Sequence, residues 1–111
     1  IDADLLNGEA QSFVGMHDFS AFCAAGSSVE SKVRTLKNAS VIRNNEIVEF
    51  TFEADGFLYN MVRIMVGPLL DINRGKIEQG SIPQIIESKD RNLAGATAAP
   101  DGLYLNRVNY D

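Results

Sequence analysis

The chain has 111 residues, of which 45% are hydrophobic and 23% charged, and its formal net charge is −5. This length and composition are typical of one folded globular domain and exclude a disordered or fibrous protein. The acidic net charge argues against nonspecific nucleic-acid binding by the chain as a whole, because such binding draws on basic surfaces. We therefore expect a single domain over residues 1–111.

The amino terminus, the most apolar run and the cysteine content of the chain indicate where in the cell the protein is expected. The longest apolar run, residues 56–70, is interrupted by Arg63, so it is too short and too polar for a bilayer span. The amino terminus, IDADLLNGEAQ, is acidic and does not begin with methionine, so we expect this stretch not to be a signal peptide and the chain to be a piece of a longer protein. The single cysteine, Cys23, cannot form an internal disulfide, which fits packing in a cytoplasmic protein.

The first half of the chain predicts one helix and two strands. Apolar residues recur at helical spacing over residues 3–14, and Gly15 is a natural end for that helix. Residues 33–41, VRTLKNASV, favour a strand with a bulge, and turn residues follow at 43–46. Apolar and polar residues then alternate over 48–54, which is the period of a half-buried strand. The two strands should form a hairpin.

The second half predicts two helices and a last strand. Pro68 should kink the first helix, and residues 73–75 should end it. Ser81 is expected to cap a shorter helix that ends near Asp90. Residues 103–110, LYLNRVNY, indicate a final strand. The apolar stripe of the first helix comprises Leu58, Met61, Met65, Leu69 and Ile72.

The predicted order α-β-β-α-α-β indicates an α+β fold, with an antiparallel sheet packed on one side by helices. Three strands leave exposed edges. Another part of a longer chain, or a second subunit, should therefore complete the sheet.

His17 and Asp18 are the first candidates for catalysis, because a histidine beside a carboxylate resembles half of a catalytic pair. A small hydrolase built on these two residues is therefore one alternative. Adjacent residues seldom converge on one substrate atom, however, and no serine or second histidine stands at a recognisable spacing. One histidine and one cysteine make no zinc cluster, and the glycines match no nucleotide motif, so no metal or cofactor is expected. A structural capping role is the simpler interpretation.

Arg63 stands in the middle of the most apolar run. Arginine stays charged in proteins, so a buried one needs a partner. The nearest carboxylates, Asp55 and Asp71, are each eight residues away, more than two helical turns along the axis. Two interpretations remain open: the head reaches solvent while the stem covers neighbours, or the side chain has a functional partner elsewhere.

Four basic residues fall within twelve positions that contain no acid. This basic strip is the one plausible phosphate-facing surface of the chain, and a solvated strand face is the alternative. The strip consists of Lys32, Arg34, Lys37 and Arg43.

Several motifs occur in a fixed order over nearly the entire chain. They are GMHDFSAF at 15–22, GFL at 56–58, MVRIMVG at 61–67, Asp-Arg at 90–91 and APDGLYL at 99–105. Together they resemble the carboxy-terminal half of the tRNA pseudouridine synthase A family. The sequence differs from the family pattern after the Leu-Leu pair at 69–70. The family usually has Val-Gly-x-Gly there, and this chain has DINRG.

The resemblance implies the pseudouridine synthase fold and a homodimeric parent enzyme that isomerises uridine to pseudouridine in the anticodon arm of tRNA, without a cofactor. The family's nucleophilic aspartate lies in an amino-terminal Arg-Thr-Asp-x-Gly motif. Arg34-Thr35 is followed here by Leu36, so that motif, like the family's catalytic tyrosine, belongs to a half that this chain does not contain. The chain alone should therefore be inactive. A noncatalytic RNA-binding or assembly module with the same fold is the alternative.

The resemblance also assigns two site residues. Arg63 is similar to the family's active-site arginine, which pairs with the catalytic aspartate, and Leu103 is similar to the apolar residue that lines the uracil pocket. We therefore expect Arg63 to be unpaired in this chain and turned toward a solvent-filled groove, with its partner on the missing amino-terminal domain.

Overall fold

The computed structural model describes residues 1–24, 26, 30–58 and 60–98, and the backbone of 105–109. Short 3₁₀ turns lie at Gln11–Phe13, Ser20–Phe22 and Arg91–Ala94. The longer elements, in chain order, are α1 (Ala3–Ala10), β1 (Gly15–Asp18), β2 (Val33–Asn44), β3 (Ile47–Ala54), α2 (Met61–Asn73), α3 (Ile82–Ser88) and β4 (Leu105–Asn109).

The strands form one sheet in the order β1-β2-β3-β4. The pairs β1–β2 and β2–β3 are antiparallel, which confirms the predicted α+β fold with an antiparallel sheet, whereas β4 pairs parallel with β3. The sequence did not predict β1. Its four residues, GMHD, are too few and too polar to show a strand pattern, and pairing with β2 decides their conformation.

The β2–β3 hairpin agrees with its prediction. Its last pair is Asn44 with Ile47, and Asn45 turns the chain with a φ of 59°. The predicted bulge lies where the register shifts between Leu36 and Asn38. Burial alternates along β3, so one face of the hairpin packs on the helices while the other keeps contact with solvent.

Helix α1 is shorter than predicted and is bound to the sheet by side chains. It ends at Ala10 and tightens into the following 3₁₀ turn. Among the described residues, strand β1 pairs only with the first part of β2, and no other strand pairs with the rest of that edge. Two side chains, one from α1 and one from the turn after it, bond to this edge instead. Asn7 Oδ1 accepts from the Val41 amide at 2.9 Å, and Gln11 Nε2 donates to the Ala39 carbonyl at 2.8 Å.

Helix α2 is the centre of the core. All five residues of the predicted stripe are buried, none more than 4% exposed, but Leu58 lies before the helix, which begins at Met61. The helix continues through Pro68 and ends at Asn73, as predicted, while the kink at Pro68 stays a prediction. Among the described residues, no helix combines the length and the apolar character that crossing a membrane requires.

Helix α3 ends at Ser88, close to its predicted end, and Lys89 follows with a φ of 55°. The prediction that Ser81 caps it is wrong. Ser81 already has helical backbone angles, and its hydroxyl donates backward to the Glu78 carbonyl at 2.6 Å instead of accepting from the helix.

Residues 95–98, which we call the strap, lie directly on α2. A Cβ atom added to Gly67 would stand 2.2 Å from the carbonyl oxygen of Ala96, well inside contact distance. The strap is also bonded to the helix backbone, because the Ala98 amide donates to the Arg63 carbonyl at 3.2 Å. Glycine at position 67 therefore permits an approach that any side chain would prevent.

We predict that Gly67→Ala destabilises the protein. Alanine favours a helix by about 1 kcal/mol over glycine, but the added methyl group must displace the strap, and overpacking of this kind costs roughly 1–3 kcal/mol. Urea unfolding gives the free energy of both variants. The control is Gly8→Ala in α1, where an added Cβ has no neighbour within 4 Å; it should stabilise. Equal stabilisation by both substitutions would show that the strap does not restrict position 67.

Candidate functional site

Arg63 lies in the first turn of α2 between two buried neighbours, Val62 and Ile64, and is itself half-buried. Helical spacing turns it off the buried stripe and toward the strap. Its Nε and Nη2 atoms donate to the carbonyl oxygen of Ala98 at 3.2 and 3.0 Å. With the main-chain bond from the Ala98 amide, Arg63 and Ala98 are joined by three hydrogen bonds.

The expectation that Arg63 is unpaired is wrong in one respect, because a main-chain carbonyl, which leaves no trace in a sequence pattern, accepts from it. This acceptor is neutral. Within the part of the chain that the structure describes, no carboxylate forms an ion pair with Arg63, and no acceptor is bonded to its Nη1 atom. The guanidinium is thus oriented by the protein while its charge is not neutralised by a described residue.

A second arginine holds the same strap. Arg91 donates from Nη1 to the Gly95 carbonyl at 2.6 Å and from Nη2 to the Thr97 hydroxyl at 2.9 Å. Gly95 has a φ of 75° and a ψ of −155°, angles that are essentially restricted to glycine. Sequence reasoning included Arg91 only in the Asp-Arg motif and missed this contact. The glycine four residues later is the one local signal that could have indicated it.

Leu103 lies outside the described residues. By chain order it comes five residues after Ala98. Its role in a uracil pocket therefore stays a prediction.

The basic strip extends along β2 instead of forming a cluster. Arg34 and Arg43 are nine positions apart on one strand, or about 30 Å at ~3.3 Å per residue. Both donate to nearby main chain, Arg34 to the Ser31 and Val33 carbonyls and Arg43 to that of Ile1. Lys37 stands at the bulge and Lys32 just before the strand. Contact of this strip with RNA stays a prediction.

Asp18 has the structural role that the sequence analysis favoured. Its Oδ1 accepts from the Ser20 amide at 2.9 Å and from the Ser20 hydroxyl, which fixes the start of the 3₁₀ turn. The Ser20 hydroxyl is the main reason that the pKa of Asp18 lies below its usual value; burial opposes this, and the positive charges of Lys89 and Lys32 assist it. A structural role for Asp18 is thus confirmed, but the N-cap position of the turn is Phe19, which forms no side-chain cap hydrogen bond.

His17 has other partners than its neighbour. Its Nε2 lies 3.1 Å from the Val14 carbonyl oxygen, and its ring packs edge-on against Phe19, with ring centres 5.5 Å apart. His17 and Asp18 border an open groove of about 560 Å³ next to α3. Because each has a local structural partner, the geometry gives the hydrolase alternative no support. Nor do the residues in the described ranges contain three His, Cys, Asp or Glu side chains placed to share a metal ion.

Cys23, which the sequence analysis interpreted as a packing residue, is 6% exposed and has a free thiol. Its burial in the apolar core confirms that interpretation.

The chain was compared with known protein families and curated proteins. The family described as tRNA pseudouridine synthase matches residues 10–111. Proteins named tRNA pseudouridine synthase A are similar to it in Acetivibrio thermocellus, at 50% identity over 99% of the chain, and in Geobacillus sp., at 43% over 100%. One from Staphylococcus epidermidis is 44% identical over 97% of the chain.

These alignments cover 45% of the length of the first two relatives and 40% of the third, so the chain spans less than half of each. The matching region of the chain nevertheless includes all of β1 to β4, Arg63 and the strap. This chain belongs to the tRNA pseudouridine synthase family.

Proposed function

We propose that this chain is the carboxy-terminal part of an enzyme that isomerises uridine to pseudouridine in the anticodon arm of tRNA. The observation that carries the proposal is the state of Arg63. Its guanidinium is held in place by Ala98, yet the described residues provide no carboxylate for its charge. A catalytic aspartate on another domain of the parent protein is the partner that this arrangement lacks.

The surroundings of Arg63 suit an anionic partner. The first turn of a helix carries partial positive charge, which disfavours a cation and favours an anion. A carboxylate at this point would interact favourably with both the guanidinium and the end of α2. The same charges would keep its pKa low, so the carboxylate would be ionised and able to act as a nucleophile.

The rest of the proposal concerns substrate, assembly and location. Leu103 would line the uracil pocket, and the basic strip at Lys32, Arg34, Lys37 and Arg43 would contact tRNA phosphates. The parent enzyme would act as a homodimer in the cytoplasm. The free thiol of Cys23 agrees with that location, because the cytoplasm keeps thiols reduced. A noncatalytic RNA-binding or assembly module is the competing function, and the experiments below distinguish the two.

We predict that the purified 111-residue chain does not form pseudouridine in tRNA. Arg63 and Leu103 can position a base, but neither can act as the nucleophile. The measurement is pseudouridine content after incubation with unmodified tRNA. Adding the amino-terminal half of the parent protein as a separate chain should restore turnover. Turnover by the chain alone would contradict the proposal, and tRNA binding by the complete protein without turnover would favour the noncatalytic module.

In the complete protein, Arg63→Met should lower the single-turnover rate by about 100-fold or more, because breaking a buried charge pair costs roughly 3–5 kcal/mol. Affinity for tRNA should change little, since the loss falls on organisation of the transition state. Arg63→Lys should rescue part of the rate, because an ammonium keeps the charge but not the planar fork.

A melting curve of each Arg63 variant is the control. Arg63→Met also removes the two side-chain bonds to Ala98, so a loss of about 0.5–3 kcal/mol in stability is expected, and rates must be measured well below the melting temperature. A wild-type rate in the Met variant would remove Arg63 from the active site.

We predict that Lys37→Gln weakens tRNA binding by the complete protein. It should also lower the slope of log affinity against log salt concentration by about one, the value for the loss of one phosphate contact. Lys76→Gln, which also replaces an exposed lysine but lies outside the basic strip, is the matched control. Equal effects of the two substitutions on affinity and on its salt dependence would show that the strip has no particular part in tRNA binding.

A further inference from the structure

The bonds of Arg63 determine which of its edges can receive a partner. A guanidinium has five N–H donors, one on Nε and two on each Nη. Ala98 occupies the edge formed by Nε and Nη2. A carboxylate that binds Arg63 through two parallel hydrogen bonds must therefore use the other edge, formed by Nη1 and the second hydrogen of Nη2.

The position of the Ala98 carbonyl thus sets the plane and direction of the guanidinium. Three hydrogen bonds and one close approach hold the strap that carries this carbonyl. The Ala98 amide is bonded to the Arg63 carbonyl, and Gly67 lets the strap lie against α2. The other two contacts come from Arg91, which binds the strap at the Gly95 carbonyl and the Thr97 hydroxyl.

Arg91 binds the strap at its first and third residues, Gly95 and Thr97. Both are neutral, and one of them is the residue immediately before Ala98. Arg91 is half-buried and lies in the 3₁₀ turn that precedes the strap, where Asp90 caps the turn by accepting from the Asn92 amide at 2.9 Å. A charged side chain fixed at its own base and bonded at two points of a four-residue segment restricts the conformations of that segment.

We propose that Arg91 is a positioning residue of the active site. It holds the strap so that the Ala98 carbonyl turns the Nη1 edge of Arg63 toward the catalytic carboxylate. Arg91 acts through the strap and does not touch the substrate. The inference rests on the function proposed above.

The test uses the complete synthase with the variants Arg91→Met and Thr97→Val. Arg91→Met should lower the single-turnover rate by about tenfold or more while the Kd for tRNA stays within about twofold of wild type. Thr97→Val removes one acceptor at nearly constant volume and should lower the rate in the same direction by a smaller factor. It also carries the test if Arg91→Met does not fold.

Two further measurements, the rate of a double variant and the pH–rate profile, distinguish a positioning role of Arg91 from a general structural role. If Arg91 acts through Arg63, then Arg91→Met should cause no additional loss of rate in an Arg63→Met background. In the wild-type background, a misplaced Arg63 should stabilise the ionised carboxylate less, so the acid limb of the pH–rate profile should move to higher pH.

Arg74→Met is the matched control. Arg74 is also bonded near α2, to Asp71 at 3.5 Å, but its side chain is 57% exposed, and among the described residues no hydrogen bond joins it to the strap. It should keep the wild-type rate, Kd and pH profile.

The outcomes distinguish the two proposals. If Arg63→Met is slow and Arg91→Met has the wild-type rate, the inference fails and the proposed function stands. Rate losses that multiply in the double variant, or an Arg91→Met defect confined to tRNA binding, also overturn the inference. Wild-type rates in both single variants overturn the proposed function and the inference with it.

Discussion

The central interaction of this structure is a charged side chain held by a neutral main-chain carbonyl. Arg63 donates twice to Ala98 and receives no compensating charge from a described residue. Removing a guanidinium partly from water is costly, and one carbonyl offsets only part of that cost. The arrangement is therefore more informative about orientation than about stability, because it fixes the side chain and leaves one edge of it for another group.

That contact depends on backbone geometry, and the backbone depends on two glycines. Gly67 is unfavourable inside a helix, yet it alone leaves room for the Ala96 carbonyl. Gly95 provides angles that let the chain leave the 3₁₀ turn and run back along α2. The local cost of each glycine is offset by an approach between two segments that are more than 20 residues apart in sequence.

The parts of the fold that could be predicted from the sequence have a strong period. The alternation along β3 and the apolar stripe of α2 each reflect one buried face, so few other conformations agree with them. The four residues of β1 have no such period, and Ser81 has a preferred residue type for a cap but a different hydrogen bond. Local preference is a weak guide where the contacts of a residue are not local.

The candidate site follows the same division. The chemistry of Arg63 was evident, because a charge within an apolar run needs an explanation. Its hydrogen-bond partner was not evident, because a main-chain carbonyl 35 residues away has no signature in the sequence. Arg91 was missed for the same reason, since its acceptors are a main-chain oxygen and a common hydroxyl.

The parallel pairing of β3 with β4 has a consequence for the order of folding. Antiparallel neighbours can pair as soon as a short turn forms, but β4 is joined to β3 by about fifty residues that include α2, α3 and the strap. Closing so long a connection is entropically unfavourable until the helices have packed. We therefore expect β4 to pair late, after the hairpin and α2 have formed. The strap lies within this connection, so until it docks on α2 the chain carries Arg63 without the carbonyl that orients it, and the site is complete only after that docking.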